Sequence, residues 1–203
     1  MPLDTTSEKR RFRESARASR HAQEDKEKTS RVIVQRLMSL PEYEAAQSVA
    51  FYVDVRDEVR TRFAIPKALN SGKQILVPFC ADDQLELCRI ENVHELELGR
   101  FGVLEPRSEL REASRLATAA DVDLIVVPGV AFDRHGGRMG HGLGYYDRLL
   151  VDVPPSTVLV GLAFECQVFH DIPVETHDVS MDWVITESTV YIGRGHEGER
   201  SKG

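Results

Sequence analysis

Short apolar runs rich in β-branched residues alternate along the chain with charged or amphipathic stretches. The apolar runs predict strands over residues 48–53, 74–79, 84–90, 122–129, 157–164, 182–187 and 189–193. The intervening stretches predict helices over residues 5–24, 29–40, 58–70 and 145–153. Continuous apolar strands that alternate with helices form parallel sheets covered on both faces. We therefore predict a three-layer α/β fold with a mostly parallel central sheet.

Length and composition fit one domain. A chain of 203 residues with 41% hydrophobic and 29% charged residues can bury a sizeable core. We assign residues 1–192 to a single α/β domain. Residues 193–203 are polar and rich in glycine, which predicts a disordered tail.

Charge and cysteine usage narrow the classes of partner. The net charge of −7 argues against general binding to nucleic acid or to an anionic membrane. No apolar run approaches the roughly 20 residues of a membrane-spanning helix, and three cysteines are too few for a disulfide scaffold. We expect a cytoplasmic protein without nucleic-acid or membrane partners, and a monomer rather than an oligomer.

The segment GGRMGHGLGYYDR, residues 136–148, contains five of the 14 glycines. It follows the strongest strand candidate and precedes a short helix, an arrangement that directs backbone N–H groups at phosphate. Arg138 can donate to a phosphoryl group, and Asp147 can offer an oxygen ligand to Mg²⁺. The segment has neither the Walker spacing nor the dinucleotide-binding spacing. The alternative is a flexible surface loop.

Basic residues share one face of the first predicted helix. Lys9, Arg13, Arg17 and Arg20 follow one another at intervals of four, four and three, which brings them to the same side. Residues 9–20 contain six cations and one acid in a chain that is acidic overall. A solvated charged face is the simplest interpretation of such a pattern.

Residues 124–150 carry a sharper signal. A strand that ends in PG-x-x-F-D leads into G-x-R-x-G-x-G-x-G-Y-Y-D, and this stretch resembles the signature of the 5-formyltetrahydrofolate cyclo-ligase family. Further similar pieces are the Lys9 to Arg13 spacing, DEVRT at 57–61, GRFGVLEP at 99–106, VGLAFECQ at 160–167 and HDVSMDWVITE at 177–187. The resemblance covers about residues 8–187. Met139, His141 and Leu143 depart from the residues usual in the family.

The resemblance implies an enzyme that uses ATP and Mg²⁺ to convert 5-formyltetrahydrofolate to 5,10-methenyltetrahydrofolate, with release of ADP and phosphate. The formyl oxygen would first be phosphorylated, and N10 of the folate would then attack the formyl carbon. Positioning and charge neutralisation suffice for this chemistry, so no covalent enzyme intermediate is needed. The resemblance also implies the fold of the sugar-phosphate isomerase and CoA-transferase group.

The resemblance assigns roles residue by residue. The implied catalytic residues are Lys9, Arg138 and Tyr146, and Asp147 and Asp178 form the implied metal site. The implied ATP-binding residues are Lys9, Arg10, Arg13, Arg138, Met139, Gly140, His141, Gly142, Leu143, Gly144, Tyr145 and Tyr146. The implied folate-binding residues are Val53, Glu58, His141, Gly142, Leu143, Gly144 and Tyr145.

Other polar residues near these positions receive simpler interpretations. Glu58 has the alternative of a helix N-terminal carboxylate, and Asp178 that of a turn or cap residue. Arg17 and Arg20 we interpret as surface residues, His177 and Asp182 as structural residues, and Trp183 as part of the core.

Two other classes of function remain open from the sequence. One is an α/β enzyme that acts on phosphorylated sugars or CoA esters, since fold alone does not determine function. The other is a binding module for nucleotide or folate that lacks catalysis. Within the glycine segment, we expect alanine at Gly142 or Gly144 to impair catalysis more than folding. Alanine at Gly136 should have a milder effect.

Overall fold

A computed structural model of the protein describes residues 5–151, 153–173 and 178–195. Five α-helices lie within these ranges. They are α1 (Thr5–Ala22), α2 (Lys26–Met38), α3 (Pro41–Ala45), α4 (Ala64–Asn70) and α5 (Tyr145–Leu150). None of the helices in this part of the chain is long and apolar enough to cross a membrane.

Thirteen strands lie in the same described ranges. In chain order they are β1 (Ser48–Ala50), β2 (Gln74–Ala81), β3 (Gln84–Ile90), β4 (Leu96–Leu98), β5 (Leu104–Pro106), β6 (Leu116–Ala117), β7 (Leu124–Val127), β8 (Ala131–Asp133), β9 (Arg138–Met139), β10 (Val158–Leu162), β11 (Val168–Phe169), β12 (Trp183–Ile185) and β13 (Val190–Ile192). Every strand candidate of the sequence is present. Five are shorter than predicted, because not every residue of an apolar run pairs with a neighbour, whereas β3 has the predicted bounds and β2 extends to Ala81.

The main sheet has eight strands in the order β13-β12-β10-β7-β1-β2-β3-β6. The five from β12 to β2 run parallel to one another, whereas β13, β3 and β6 are antiparallel to their neighbours. Two smaller sheets accompany it, one formed by β11, β8 and β9 and the other by β4 and β5. The prediction of a mostly parallel central sheet is confirmed.

Side chains that alternate along each central strand enter two separate cores, as strand geometry requires. Val49 and Val126 face the core formed with α2, α3 and α4. Ala50 and Ile125 face the opposite core, which includes Leu150 of α5. The sheet is therefore covered on both sides, and this confirms the three-layer architecture.

One predicted helix is much shorter in the structure. The sequence predicts a helix over 58–70, but α4 comprises only Ala64–Asn70, and residues 58–63 form a bend, an irregular stretch and a turn. Pro66 lacks a backbone N–H, so it fits the first turn of a helix but not the middle of a longer one. These residues are held instead by Asp54, whose carboxylate accepts hydrogen bonds from the backbone of Thr61 and Arg62 at 2.9 and 3.0 Å.

The glycine segment contains a β-hairpin that the sequence analysis did not predict. Strands β8 and β9 pair antiparallel, so that Phe132 lies opposite Arg138, and residues 134–137 turn between them. Asp133 holds this turn by accepting from the backbone N–H of Gly137 at 2.8 Å. The segment thus divides into a hairpin turn at 136–137 and a separate loop, residues 140–144, that leads into α5.

The beginning of the predicted tail is bound to the domain. The backbone N–H groups of Gly193 and Arg194 donate to the carbonyls of Asp182 and His135, both at 2.8 Å. Residues 196–203 lie outside the described residues, so disorder there stays a prediction. His177 is also outside the described ranges. Asp182 is buried and accepts from the Leu159 backbone at 2.6 Å, consistent with the structural role assigned to it.

Candidate functional site

Two adjoining cavities open at the carboxyl ends of the parallel strands, where α/β sheets place their ligand sites. Their volumes are about 440 and 270 Å³. Arg138, Gly140, Gly144 and Asp147 line both cavities and form their common wall. The loop 140–144 therefore separates two binding spaces that meet at one guanidinium group.

The larger cavity has a closed end and an open mouth. Tyr52, Val53 and Glu58 follow β1 and are 3–6% exposed, so they form part of the closed end. Phe101 and Leu143 also line the cavity, but they are 62% and 58% exposed. Such a space can bury one end of a small molecule and leave the other end in solvent.

Glu58 is the buried carboxylate of the larger cavity. Its Oε2 accepts from the backbone N–H of Val55 at 3.0 Å, and its Oε1 lies 3.3 Å from Nε2 of His141. Glu58 lies in a turn rather than at a helix start, so the alternative of a helix N-terminal carboxylate is wrong. The contact with His141 joins the segment after β1 to the glycine loop across the cavity.

Asp54 fixes the loop that carries Glu58. Burial alone would raise the pKa of the Asp54 carboxyl, but backbone hydrogen bonds from Arg62 and Thr61 and the Arg62 guanidinium lower that pKa below its ordinary value. Arg60 approaches the same carboxylate at 3.4 Å. The charged carboxylate therefore organises the turn around Glu58.

Arg138 is buried in the wall between the cavities. Its Nη2 pairs with Oδ1 of Asp147, and its Nη1 donates to the carbonyl of Pro128 at 3.4 Å. Burial lowers the pKa of Arg138, while the charge of Asp147 acts in the opposite direction. Arginine remains charged under such conditions, so a fixed cation faces both cavities.

The aromatic pair after the loop supports this wall. The guanidinium carbon of Arg138 lies 5.8 Å from the centre of the Tyr146 ring. Burial, followed by the charge of Glu58, raises the pKa of the Tyr146 hydroxyl, which therefore stays protonated. Tyr145 lines the larger cavity and packs edge-to-face on Phe101 with ring centres 6.3 Å apart.

The smaller cavity is cationic. Lys9 and Arg13 of α1 line it together with Asp178, and Lys9 Nζ lies 3.5 Å from Oδ2 of Asp178. Arg13 Nε donates to the carbonyl of Gly140 at 3.1 Å, which attaches the helix to the loop. Met139 also lines this cavity, and its buried side chain packs with Ala16 of α1.

Two glycines of the loop have backbone angles that other residues avoid. Gly142 has φ +96° and Gly144 has φ +70°. A Cβ at Gly142 would meet only Arg13 side-chain atoms at 3.6 Å or more, so backbone conformation rather than packing requires glycine there. Both glycines expose their backbone to the cationic cavity.

Gly136 differs from the loop glycines, and the expectation of a mild effect there is wrong. Its φ is +89°, and a Cβ would collide with the carbonyl oxygen of Met181 and lie 3.0 Å from the Cα of Gly193. Neither neighbour belongs to a flexible side chain. Gly136 therefore serves the packing of the hairpin against residues 181–193.

The structure brings most of the sequence-predicted site residues together. Every one of them except Arg10 lines at least one of the two cavities, while Arg10 is exposed and lines neither. The surface interpretation of Arg20 is wrong, because Arg20 is 6% exposed and lines the larger cavity. Arg17 is exposed, yet its Nη2 lies 3.4 Å from the carbonyl of His141 and it lines the same cavity.

Some cavity residues do not stand out in the sequence. Phe101 lies in the piece GRFGVLEP, which carries part of the family resemblance but no assigned site residue. The sequence signal for Phe101 is an aromatic residue in a short segment flanked by glycines. In the structure Phe101 lies in an exposed turn with φ +57°. Tyr52 is another such residue, and its phenol donates to the carbonyl of Val59 at 2.9 Å.

Comparison with known proteins gives a consistent result. A sequence model described as the 5-formyltetrahydrofolate cyclo-ligase family matches residues 5–187. A 5-formyltetrahydrofolate cyclo-ligase of Escherichia coli K12 is 34% identical over 164 residues, which cover 77% of this chain and 86% of that protein. A probable 5-formyltetrahydrofolate cyclo-ligase of Schizosaccharomyces pombe is 31% identical over 172 residues, with coverage of 78% and 83%.

The solved structures agree. The solution structure of 5,10-methenyltetrahydrofolate synthetase from Aquifex aeolicus superposes with a TM-score of 0.80 at 34% identity, covering 92% of this chain and 93% of that one. These relatives identify the three-layer α/β fold with its two adjoining cavities as an enzyme of the cyclo-ligase class. The chain belongs to the 5-formyltetrahydrofolate cyclo-ligase family.

Proposed function

We propose that the two cavities bind the two substrates of one reaction, the ATP-dependent conversion of 5-formyltetrahydrofolate to 5,10-methenyltetrahydrofolate. Their common wall carries the proposal, because Arg138 is buried between the cationic smaller cavity and the larger cavity. A phosphoryl group and a formyl group bound on either side of this guanidinium would meet there. Family membership favours this ligase over a sugar-phosphate or CoA-ester enzyme and over a binding module without catalysis.

ATP phosphates fit the smaller cavity. Lys9, Arg13 and Arg138 supply positive charge, and Gly140, Gly142 and Gly144 allow close approach to the backbone. Arg10 is a weaker candidate, since it lines neither cavity.

The folate fits the larger cavity. The buried carboxylate of Glu58 matches the 2-amino group and ring N–H of a pteridine, both of which are hydrogen-bond donors. Val53 packs beside it, and the exposed Phe101 and Leu143 leave room at the mouth for the remainder of the molecule. In this orientation the head of the folate is buried and its glutamate tail is solvated.

The chemistry requires positioning and charge stabilisation. The formyl oxygen attacks the γ-phosphorus, and the bond to ADP breaks. N10 then attacks the formyl carbon, the bond from carbon to oxygen breaks, phosphate leaves with the electron pair, and N10 loses its proton. Arg138 and Lys9 stabilise the charge on the phosphoryl oxygens. The ring of protonated Tyr146 lies against the Arg138 guanidinium and helps to hold it in place.

We also propose that Mg²⁺ accompanies ATP. Asp147 and Asp178 both line the smaller cavity, and magnesium commonly takes one or two carboxylates beside substrate phosphates. Among the residues that the structure describes, no group of three or more His, Cys, Asp or Glu side chains could hold a metal alone. When bound, the ion would neutralise phosphate charge and orient the phosphoryl group.

For the setting of the enzyme we propose the cytoplasm and a monomeric state. The three cysteines are free thiols, as a reducing compartment favours. Light scattering coupled to size-exclusion chromatography tests the monomer, which has a mass of 22.8 kDa. A dimer mass would contradict it.

The test of function is direct. Purified protein is mixed with 5-formyltetrahydrofolate, ATP and Mg²⁺, and the near-ultraviolet absorbance of the methenyl product is followed. We expect product only with all three additions, in step with the release of ADP. No product from folded protein under these conditions would refute the proposed function.

A further inference from the structure

Arg20 is a buried cation to which the proposed reaction assigns no role. It lies in the last turns of α1, is 6% exposed, and lines the larger cavity near its closed end. Its Nη1 donates to the carbonyl of Gly129 at 3.3 Å. No carboxylate among the described residues forms an ion pair with it, and its buried Nε has no hydrogen-bond acceptor there.

A buried guanidinium without a charged partner lowers the stability of the folded protein unless a ligand pairs with it. A buried charge without a partner is unfavourable by several kcal/mol, so native proteins pair buried charges or present them to a ligand. Packing gives little reason to keep an arginine here, since the carbonyl of Gly129 also accepts from Nε2 of Gln167 at 3.2 Å. Among the described residues Arg20 has no charged partner, and its guanidinium is presented to the larger cavity, where a ligand can supply one.

The position of Arg20 relative to Arg138 indicates which group that is. The two guanidinium groups are anchored on the carbonyls of consecutive residues, Arg138 on Pro128 and Arg20 on Gly129. They are thus neighbouring donors along one wall of the cavity. 5-Formyltetrahydrofolate carries two neighbouring oxygen acceptors, the 4-oxo group of its ring and the formyl group on N5.

We propose that Arg20 binds the 4-oxo group of the pteridine, an inference that rests on the proposed function. The formyl oxygen receives the phosphoryl group, so it belongs beside Arg138, and the 4-oxo group then faces Arg20. On the other side of the 4-oxo group, the ring N–H and 2-amino donors face Glu58. Arg20 thus donates to the acceptor on the ring edge, and Glu58 accepts from the donors beside it.

This assignment makes Arg20 a determinant of specificity. A 4-amino-4-deoxy analogue presents a donor where the 4-oxo compound presents an acceptor, and two donors facing each other leave both unpaired. Loss of a hydrogen bond to a charged group typically weakens binding about 10- to 100-fold. The wild-type protein should therefore bind 5-formyltetrahydrofolate at least tenfold more tightly than its 4-amino-4-deoxy counterpart.

The experiment measures equilibrium binding of both compounds by calorimetry, without ATP, so that turnover plays no part. Arg20→Met keeps the length of the side chain and removes its charge and donors. We expect this variant to lose at least tenfold in affinity for the 4-oxo compound and to change little toward the 4-amino compound. Arg11→Met, at an exposed arginine of the same helix, is the matched control and should match wild type with both.

Thermal melting separates binding from structure. Arg20→Met without ligand should melt at or above the wild-type temperature, because an unpaired buried charge has been removed. A lower melting temperature together with equal weakening toward both compounds would make Arg20 structural and overturn the inference. Should Arg20→Met fail to fold, equal affinity of the wild-type protein for the two compounds would still overturn it.

The outcomes also separate this inference from the proposed function. Wild-type protein that forms the methenyl product but does not discriminate between the two compounds overturns only the role of Arg20. Wild-type protein that binds neither compound and forms no product defeats the folate assignment, and the inference with it.

Discussion

Lys9 and Asp178 are 169 positions apart in the chain, yet Nζ of Lys9 lies 3.5 Å from Oδ2 of Asp178 at the smaller cavity. Arg138 and Asp147 form a second ion pair in the same cavity. In each pair a cation proposed to bind phosphate neutralises a carboxylate proposed to face Mg²⁺. Arrival of ATP with Mg²⁺ would let both pairs exchange partners, so that the protein binds a charged complex without leaving charges unpaired.

The first prediction concerns Lys9. Lys9→Ala removes a cation from the smaller cavity only, so the KM for ATP should rise about tenfold or more while the KM for 5-formyltetrahydrofolate changes little. Steady-state kinetics with each substrate varied in turn measures both values. Lys67→Ala, at an exposed lysine of α4, is the control. An unchanged KM for ATP would show that Lys9 is a surface charge without a role in ATP binding.

Arg138 should affect the rate rather than binding alone. Its guanidinium lies between the cavities, so Arg138→Ala should lower kcat by about 10²- to 10³-fold, the usual loss for one charge-stabilising donor. Arg138→Lys should recover only part of the rate, because lysine cannot reproduce two directed contacts. Arg134→Ala, at an exposed arginine of the same hairpin turn, should keep the wild-type kcat. A folded Arg138→Ala protein within threefold of wild type would contradict the role.

Parts of this site follow from local sequence, and other parts depend on tertiary packing. Buried parallel strands can be predicted because their apolar runs are continuous, and the loop 140–144 because three of its five residues are glycines. The start of α4 does not follow from the local pattern, since it depends on Pro66 and on the hydrogen bonds that the distant Asp54 accepts from the backbone of Thr61 and Arg62. Burial of Arg20 could not be predicted, because spacing shows which residues share a helix face but not what covers that face.

The two kinds of glycine in the segment make a paired prediction. Gly136→Ala should lower the melting temperature, because the new Cβ collides with the backbone of Met181. Gly142→Ala meets no such obstacle and should lose activity out of proportion to its stability, since φ of +96° shapes the phosphate loop. Activity and thermal melting are measured on the same preparations. If both variants lost activity only in step with melting temperature, the loop glycines would serve the fold.

The lowered pKa of Asp54 predicts that the stability of the protein depends on pH. Its pKa in the folded protein is lowered, so the stability it contributes is present above the unfolded value of about 3.9 and is lost as pH falls through the folded value. Asp54→Asn should therefore lower the melting temperature at pH 7 by roughly 5–10 °C, for a loss of about 2–3 kcal/mol. The variant should also lose stability less steeply than wild type below about pH 5.

A control accompanies the Asp54 measurement. Asp83 is exposed, so Asp83→Asn should keep the wild-type melting temperature and the wild-type slope with pH. If the melting temperatures of Asp54→Asn and wild type fell equally from pH 7 to about pH 3, Asp54 would not be the group that causes the loss of stability in acid.

Magnesium provides the last prediction. Because Asp147 and Asp178 are each paired with a cation of the protein, calorimetry should detect little Mg²⁺ binding until a non-hydrolysable ATP analogue is present. Asp147→Asn and Asp178→Asn should each weaken Mg²⁺ binding to the analogue complex about tenfold, whereas Asp83→Asn should not. Tight stoichiometric Mg²⁺ binding without nucleotide would contradict the exchange of partners, because it would require the carboxylates to leave Lys9 and Arg138 with no phosphate to replace them.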